Sequence, residues 1–249
     1  MAAQRAEPAA EAPLPPLVAV TGSVSPNPEQ LFMATNNPAA FGSTNESLFY
    51  SADGALVFRL ENKTGLLVDR KTLYDGQGNV LLRCKKTPLS LAKWTIRGPG
   101  EEVLAKSRTV PGQWGALGAW VFRSWGGIQR MAGALRHVHG LAKYGVEVIV
   151  PSRSSSQPTF LITPDMSLRH VILRQVSGKG KARQERLVCD AAFGPTVVMG
   201  WMSALSQNWS YLLALEPGAD AALMAVLLAI FTDLLQWEAL EGFMGMGAL

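Results

Sequence analysis

Apolar and polar residues alternate in short runs over the first half of the chain, and turn-forming residues separate these runs. The runs lie at 48–50, 55–60, 66–69 and 80–84, with Asp-Gly, Asn-Lys-Thr-Gly and Asp-Gly-Gln-Gly-Asn between them. A similar pair follows at 91–108 around Gly-Pro-Gly, and further strand-like runs begin at 146, 159, 170, 186, 197 and 209. Short strands at such regular spacing predict an antiparallel meander in a sandwich or a barrel.

The most apolar stretch lies near the C-terminus, between Asp220 and Asp233, and it is only twelve residues long. A membrane-spanning helix needs about 20 apolar residues, and an Asp at the bilayer centre costs roughly 2.5–3.5 kcal/mol. We therefore predict no transmembrane span. Asp220 follows a Pro-Gly break and is predicted to be the N-cap of a helix.

This helix is apolar on nearly all sides, so it must be surrounded by protein. A β-rich chain with one such helix predicts strands wrapped around it. The side chains that we expect in contact with the barrel interior are Leu223, Val226, Leu227, Ile230, Phe231 and Leu234.

Composition divides the chain into segments. Residues 1–30 contain seven Ala, six Pro and no aromatic residue, which predicts a disordered tail because little apolar surface can be buried. Residues 31–241 form the predicted barrel, and 242–249 a short tail. Within the barrel, 106–145 is a Gly-rich basic insertion with apolar residues at roughly helical spacing.

Charge is distributed unevenly along the 249 residues. All 23 Lys and Arg lie in 1–186 with 13 acidic residues, a net of +10, whereas 187–249 holds six acidic residues and no Lys or Arg. A basic body predicts attraction to polyanions, either an anionic membrane face or nucleic acid. The two cysteines cannot build a disulfide framework for this length, which favours a reducing, cytoplasmic compartment.

Motifs for catalysis are missing from the sequence. There is no Gly-x-Ser-x-Gly elbow, no His-Glu-x-x-His and no complete phosphate-binding loop. His137 and His139 form a His-x-His pair, but no Cys or carboxylate cluster accompanies it. We therefore expect a protein that is not an enzyme and that has no cofactor and no metal.

Basic residues concentrate around 83–97 and 169–183, and the 106–145 insertion combines basic residues with tryptophans. Such a segment is typical of an element on an anionic membrane surface; alternatively, the tryptophans pack against the barrel and the basic residues face water. The candidate lipid contacts are Arg83, Lys85, Lys86, Lys93, Lys179, Lys181 and Arg183, with Trp120 and Trp125 as interfacial anchors.

Two separate stretches resemble the LURP-one-related family of plants and algae. "LALEPGADAALMAVLLAIFTDLL", at 213–235, is similar to the family's strand, Pro-Gly-x-Asp-Ala-Ala-Leu motif and apolar helix, and "LYDGQGNVLLRCKKTPLSLAKWTI", at 73–96, resembles its earlier hairpin. The resemblance implies the Tubby C-terminal-like barrel, shared with Tubby proteins and phospholipid scramblases, in which strands enclose a C-terminal helix. The insertion at 106–145 departs from the family pattern.

Tubby domains bind phosphoinositide head groups through a basic surface, so the resemblance implies a similar role here. The expectation is a cytoplasmic, peripheral membrane protein that binds anionic, phosphoinositide-like lipid in signalling or in a defence or stress response. The alternative is an interaction module whose basic surface meets a protein or a nucleic acid. Nucleic acid is disfavoured because no reading helix or base-stacking motif is present, and the sequence leaves the oligomeric state open.

Overall fold

The computed structural model describes residues 16–35, 44–63, 69–88, 90, 93–111, 144–151, 159–164, 170–178, 182–193 and 209–246. These residues form strands β1 (Glu29–Thr35), β2 (Thr44–Ser51), β3 (Leu56–Lys63), β4 (Arg70–Asp75), β5 (Val80–Lys86), β6 (Trp94–Arg97), β7 (Val103–Pro111), β8 (Tyr144–Ile149), β9 (Phe160–Pro164), β10 (His170–Ser177), β11 (Gln184–Phe193) and β12 (Trp209–Leu215), followed by helix α1 (Ala221–Met246).

The strands form one closed barrel. Each strand pairs antiparallel with its neighbours in sequence, and β1 pairs with β12 to complete the ring. Closure leaves no strand edge unpaired. The predicted fold class is confirmed: a mainly β chain forms an antiparallel barrel around a C-terminal helix.

Helix α1 fills the barrel because it is apolar on every side. Every residue from 221 to 232 is buried. The predicted core contacts are confirmed for Leu223, Val226, Leu227, Ile230 and Phe231, each at most 1 % exposed, while the side chain of Leu234 lies outside the described residues. Each such side chain contributes about 1.5–3 kcal/mol through burial. In the described part of the chain, we find no helix long and apolar enough to cross a bilayer.

The barrel has two distinct ends. At the entry end, α1 begins directly after β12, and short turns such as the one around Gly54 join the strands. At the exit end, α1 passes Asp233, and here β3 ends, β4 begins and β5 ends. The chain also leaves β7 at Pro111 and returns in β8 at Tyr144 on this side. The ends of the predicted insertion at 106–145 therefore belong to these two strands, and 112–143 lie outside the described residues.

Asp220 is the N-cap of α1, as predicted, and its carboxylate also holds the N-terminal segment. It accepts hydrogen bonds from the Leu223 N–H at 3.0 Å, from the Val20 and Thr21 N–H groups at 2.7 and 2.6 Å, and from the Thr21 hydroxyl at 2.5 Å. Gln175 adds two bonds, accepting from the Val18 N–H at 2.7 Å and donating to the carbonyl of residue 16 at 3.0 Å. This segment therefore closes the entry end.

Three sequence-based boundaries need correction. Residues 16–30 are held against the barrel and β1 begins at Glu29, so the predicted disorder of 1–30 is wrong for this part. Helix α1 continues to Met246, into the predicted tail at 242–249. The structure also has a strand at Arg70–Asp75, where none was predicted; of the predicted run at 66–69, only Asp69 is described, and it precedes this strand.

Candidate functional site

Four cations lie side by side on the outer surface of the barrel. Lys63 of β3 is the cross-strand partner of Arg70 in β4, and Arg70 is in turn the partner of Lys85 in β5. Lys85 and Lys106 of β7 both face Thr95 of β6. We name the exposed side chains of Lys63, Arg70, Lys85 and Lys106 the cationic row.

The cationic row is electrostatically unfavourable for the sheet. Neighbouring strands are about 4.8 Å apart, so the row from β3 to β7 spans about 19 Å. Like charges placed directly opposite each other destabilise a sheet. None of the four has an ion-pair partner among the described residues. Within the described ranges, the row therefore presents positive charge without acidic partners to an external anion.

Of the predicted lipid contacts on β5 and β6, only Lys85 belongs to the row. Arg83 lies two residues before Lys85 on β5, closer to the entry end, and forms an ion pair with Glu101. Lys93 is exposed just before β6, near the row, and Lys86 turns inward. The predicted cluster is therefore divided between the outer surface and the barrel interior.

Arg183 is the one described residue of the second predicted cluster, and it lies at the other end of the barrel. Arg183 immediately precedes β11 at the entry end and forms a salt bridge with Glu185 at 2.7 Å. Lys179, Lys181, Trp120 and Trp125 lie outside the described residues. Arg183 and Lys85 therefore do not share one basic patch.

A second polar group lies inside the exit end, where α1 reaches Asp233. Lys71 is 3 % exposed, yet its ammonium group donates to the Asn62 side-chain oxygen at 2.8 Å and forms a salt bridge with Asp233 at 2.8 Å. Asp233 is 35 % exposed. The buried ammonium is thus held between the barrel wall and the helix.

Lys86 and Trp94 complete this group. The Lys86 ammonium contacts Asp69 at 3.0 Å. The ammonium nitrogens of Lys71 and Lys86 lie 5.4 and 5.9 Å from the Trp94 ring centroid, within the range of cation–π attraction. Trp94 is 2 % exposed, and its indole N–H has no hydrogen-bond partner in the described structure. We name this group the exit cluster: Asn62, Asp69, Lys71, Lys86, Trp94 and Asp233.

In sequence comparisons, no family profile and no curated protein matches the chain. Among solved structures, the chain is similar to an X-ray structure of a protein from Arabidopsis thaliana. The TM-score is 0.51 at 15% identity, and the match covers 87% of this chain and 97% of that chain. At this identity the similarity shows the fold alone.

The thiols of the barrel are poorly suited to nucleophilic chemistry. Burial raises the pKa of Cys84 to about 12, and the nearby Lys71 charge opposes that rise only weakly. Burial also raises the pKa of Cys189, as does the neighbouring Asp190 charge. A thiolate is the reactive form of cysteine, so both groups stay protonated and unreactive at neutral pH.

Sequence reasoning missed three members of the row (Lys63, Arg70 and Lys106) and also the buried Lys71. The row depends on cross-strand register over four strand pairings, which spacing along the chain does not give. The signal for Lys71 is its position: it stands two residues before Leu73 and so faces the same interior side.

Proposed function

We propose that this protein is a LURP-one-related, Tubby-like barrel that associates reversibly with anionic, phosphoinositide-like lipid through the cationic row. The observation that carries the proposal is the run of four exposed cations without acidic partners in the described structure. An anionic surface relieves the repulsion among them, and a flat membrane can meet the whole row at once. The role remains non-enzymatic, at the cytoplasmic face of a membrane.

The strength of this association follows from the charge. Each Lys or Arg close to an anionic membrane contributes about 1 kcal/mol. Four such residues give about 4 kcal/mol, which corresponds to a dissociation constant of about 1 mM. The row alone therefore provides weak, salt-sensitive attraction, and tighter or selective binding requires a second contact.

Vesicle co-sedimentation tests the proposal with two double variants of equal charge change. Lys85→Gln/Lys106→Gln removes half of the row, whereas Lys179→Gln/Arg183→Gln removes two cations of the other predicted cluster. We expect the first variant to lose about tenfold or more in binding to phosphoinositide-containing vesicles. The second should bind like the unmodified protein, and neither should pellet with neutral vesicles.

Raising the salt concentration should weaken the binding of the unmodified protein because the row is exposed to solvent. Equal losses in the two double variants would show that total charge, rather than the row, drives association. Binding to neutral vesicles at high salt would exclude an electrostatic mechanism altogether.

The alternative is a basic interaction module for protein or nucleic acid. Nucleic acid predicts a steep linear fall of log affinity with log salt, and it predicts no effect of Trp120→Ala/Trp125→Ala. Membrane association predicts that this tryptophan variant weakens binding while leaving the salt dependence in place. The same purified proteins, titrated with a duplex oligonucleotide, separate these outcomes.

A further inference from the structure

The exit cluster leaves several hydrogen-bond donors without a partner in the described structure. An ammonium group has three N–H bonds and an indole has one. Lys71 directs two of its bonds at Asn62 and Asp233, and Lys86 directs one at Asp69. One N–H bond of Lys71, two of Lys86 and the indole N–H of Trp94 have no acceptor in the part of the chain that the structure describes.

The unpaired indole is the most informative member of the cluster. A buried donor without a partner costs about 1–3 kcal/mol, and buried polar groups are nearly always satisfied by protein, water or ligand. The backbone N–H of Trp94 donates to the Ser107 hydroxyl at 3.1 Å. This bond holds Trp94 in β6 and so helps to fix the direction of its ring. Two ammonium groups lie against this ring.

The position of the cluster favours an anion over a neutral ligand. Its own charges balance, since Lys71 pairs with Asp233 and Lys86 with Asp69. The adjacent outer surface carries Lys63, Arg70 and Lys85 without acidic partners in the described ranges. These surface cations attract an incoming anion toward the exit end, where Lys86 and Trp94 hold donors without a described partner.

We propose that the exit cluster is a binding site for a phosphate monoester group, held by Lys86 and by the indole N–H of Trp94, with Lys71 supplying charge from beneath. A phosphate monoester offers three acceptor oxygens and about two negative charges, which matches both the unpaired donors and the surrounding cations. This site would deepen the proposed function, and it rests on that function only in taking a lipid head group as the source of the phosphate. A free phosphate ion offers the same oxygens and charge.

The cationic row and the exit cluster would have different roles in binding. The cationic row draws the protein to any anionic surface with little discrimination. The exit cluster, being inward-facing and fixed, would select a projecting phosphate over the phosphodiester of an ordinary anionic lipid. This is the second contact that the weak electrostatic attraction calls for.

The indole N–H of Trp94 provides a direct reporter. In a 15N-labelled sample of the full chain, each of the seven tryptophans gives one indole resonance, and Trp94→Phe identifies the one from Trp94. We expect inorganic phosphate and soluble inositol trisphosphate, added against sodium chloride of matched ionic strength, to shift this resonance most.

Two variants separate the site from its surroundings. Lys86→Met should weaken the phosphate titration about tenfold or more, since a hydrogen bond to a charged group is lost. Lys86→Arg should largely restore it, and Arg183→Gln, whose cation lies at the entry end beside Glu185, should leave it almost unchanged. Lys86 is partly exposed, so the Met variant is expected to fold, which the remaining indole resonances verify.

The experiments distinguish failure of the phosphate site from failure of membrane binding. An unmoved Trp94 resonance at high phosphate overturns the inference and leaves an ordered water as the partner of the indole. If vesicle binding is intact in that case, the cationic row stands alone. Shifts with both probes support the site, and a loss of phosphoinositide selectivity in Lys86→Met vesicle assays identifies the lipid as a source. Shifts of similar size at several tryptophans would indicate general charge screening and would also overturn the site.

Discussion

Both ends of the barrel hold a polar group that contacts helix α1, and the two groups differ in how completely they are bonded. At the entry end, the Asp220 carboxylate accepts four hydrogen bonds and Gln175 makes two more, so the polar atoms there are matched. At the exit end, Lys71 and Lys86 each have a carboxylate partner, but the Trp94 indole has none among the described residues.

The difference indicates different physical roles. A fully satisfied buried network gives stability and a unique arrangement, whereas a partly satisfied one carries a free-energy cost that a ligand can remove. The entry end joins residues some 200 positions apart through one carboxylate. The exit end holds the helix with a salt bridge of which one partner is a third exposed. We expect the entry end to dominate stability and the exit end to dominate binding.

The largest expected effect comes from breaking the entry end. Asp220→Ala removes the acceptor for the Val20, Thr21 and Leu223 N–H groups, and the free energy of unfolding should fall by about 3–5 kcal/mol. Asp220→Asn keeps the size and one acceptor, so its loss should be about 1–2 kcal/mol. Urea unfolding measures both. Similar values for the two variants would mean that the acceptors do not hold the segment, and phosphate binding at the exit end should be unaffected by Asp220→Asn.

A smaller effect is expected from the corresponding salt bridge at the exit end. Asp233→Ala leaves the buried Lys71 charge with Asn62 and the Trp94 ring as its partners among the described residues, so we expect a loss of about 2–3 kcal/mol, reduced by the partial exposure of Asp233. Lys71→Met removes the buried charge itself with a side chain of similar volume, and it should cost less than about 1 kcal/mol, because replacing a buried ion pair by apolar atoms is often neutral. Urea unfolding measures the free energy of unfolding of both variants. If Asp233→Ala loses no more stability than Lys71→Met, Lys71 is not a buried, charged residue.

Each half of the barrel also contains one buried thiol, which predicts an alkaline limit on stability. The folded state keeps Cys84 and Cys189 protonated because burial raises their pKa values. Above the ordinary cysteine pKa of about 9, the unfolded chain binds fewer protons than the folded one, so stability falls as pH rises toward about 12. The expected slope is about 1.4 kcal/mol per thiol for each pH unit.

Urea unfolding between pH 8 and pH 10.5 measures this slope. Cys84→Ala and Cys189→Ala should each be less stable at pH 8 because a cavity forms, but each should show a flatter fall with pH. A slope that is unchanged in both variants would mean that other groups, such as Tyr211, whose pKa burial also raises, account for the alkaline loss.

The parts of this molecule that sequence predicts well are those encoded locally. The apolar run between Asp220 and Asp233 predicts a short enclosed helix, and the cap after Pro-Gly predicts its start. Glycines at Gly54 and Gly78 mark tight turns with positive φ. These signals involve neighbouring residues, so one sequence suffices to read them and to infer strands around a helix.

The parts that sequence predicts poorly depend on distant contacts. Residues 16–25 look disordered by composition, but Asp220 supplies the bonds that fix them. The charge at the inward-facing Lys71 interrupts the apolar alternation of β4, so the sequence predicts no strand at 70–75. The cationic row needs the register of five consecutive strands, and a shift of one residue in any pairing would place its member on the other face.

The smallest predicted effect distinguishes the row from an ordinary charged surface. Arg70 stands between Lys63 and Lys85, so Arg70→Gln should raise the free energy of unfolding by a few tenths of a kcal/mol at low salt. The gain should disappear near 0.5 M salt, because screening removes the repulsion over such distances. Arg59 is the matched control: it has Glu46 and Glu61 at 3.5 and 3.3 Å.

Arg59→Gln should therefore lower stability by about 0.5 kcal/mol at low salt, opposite in sign to Arg70→Gln. Precise urea titrations at two salt concentrations resolve such differences when the variants are compared side by side. If both variants lose stability, the row carries no net repulsion, and an anion would gain nothing by relieving it. Opposite signs would show that the outer surface of the barrel holds balanced charge around Arg59 and unbalanced charge along the cationic row, which an external anion can neutralise.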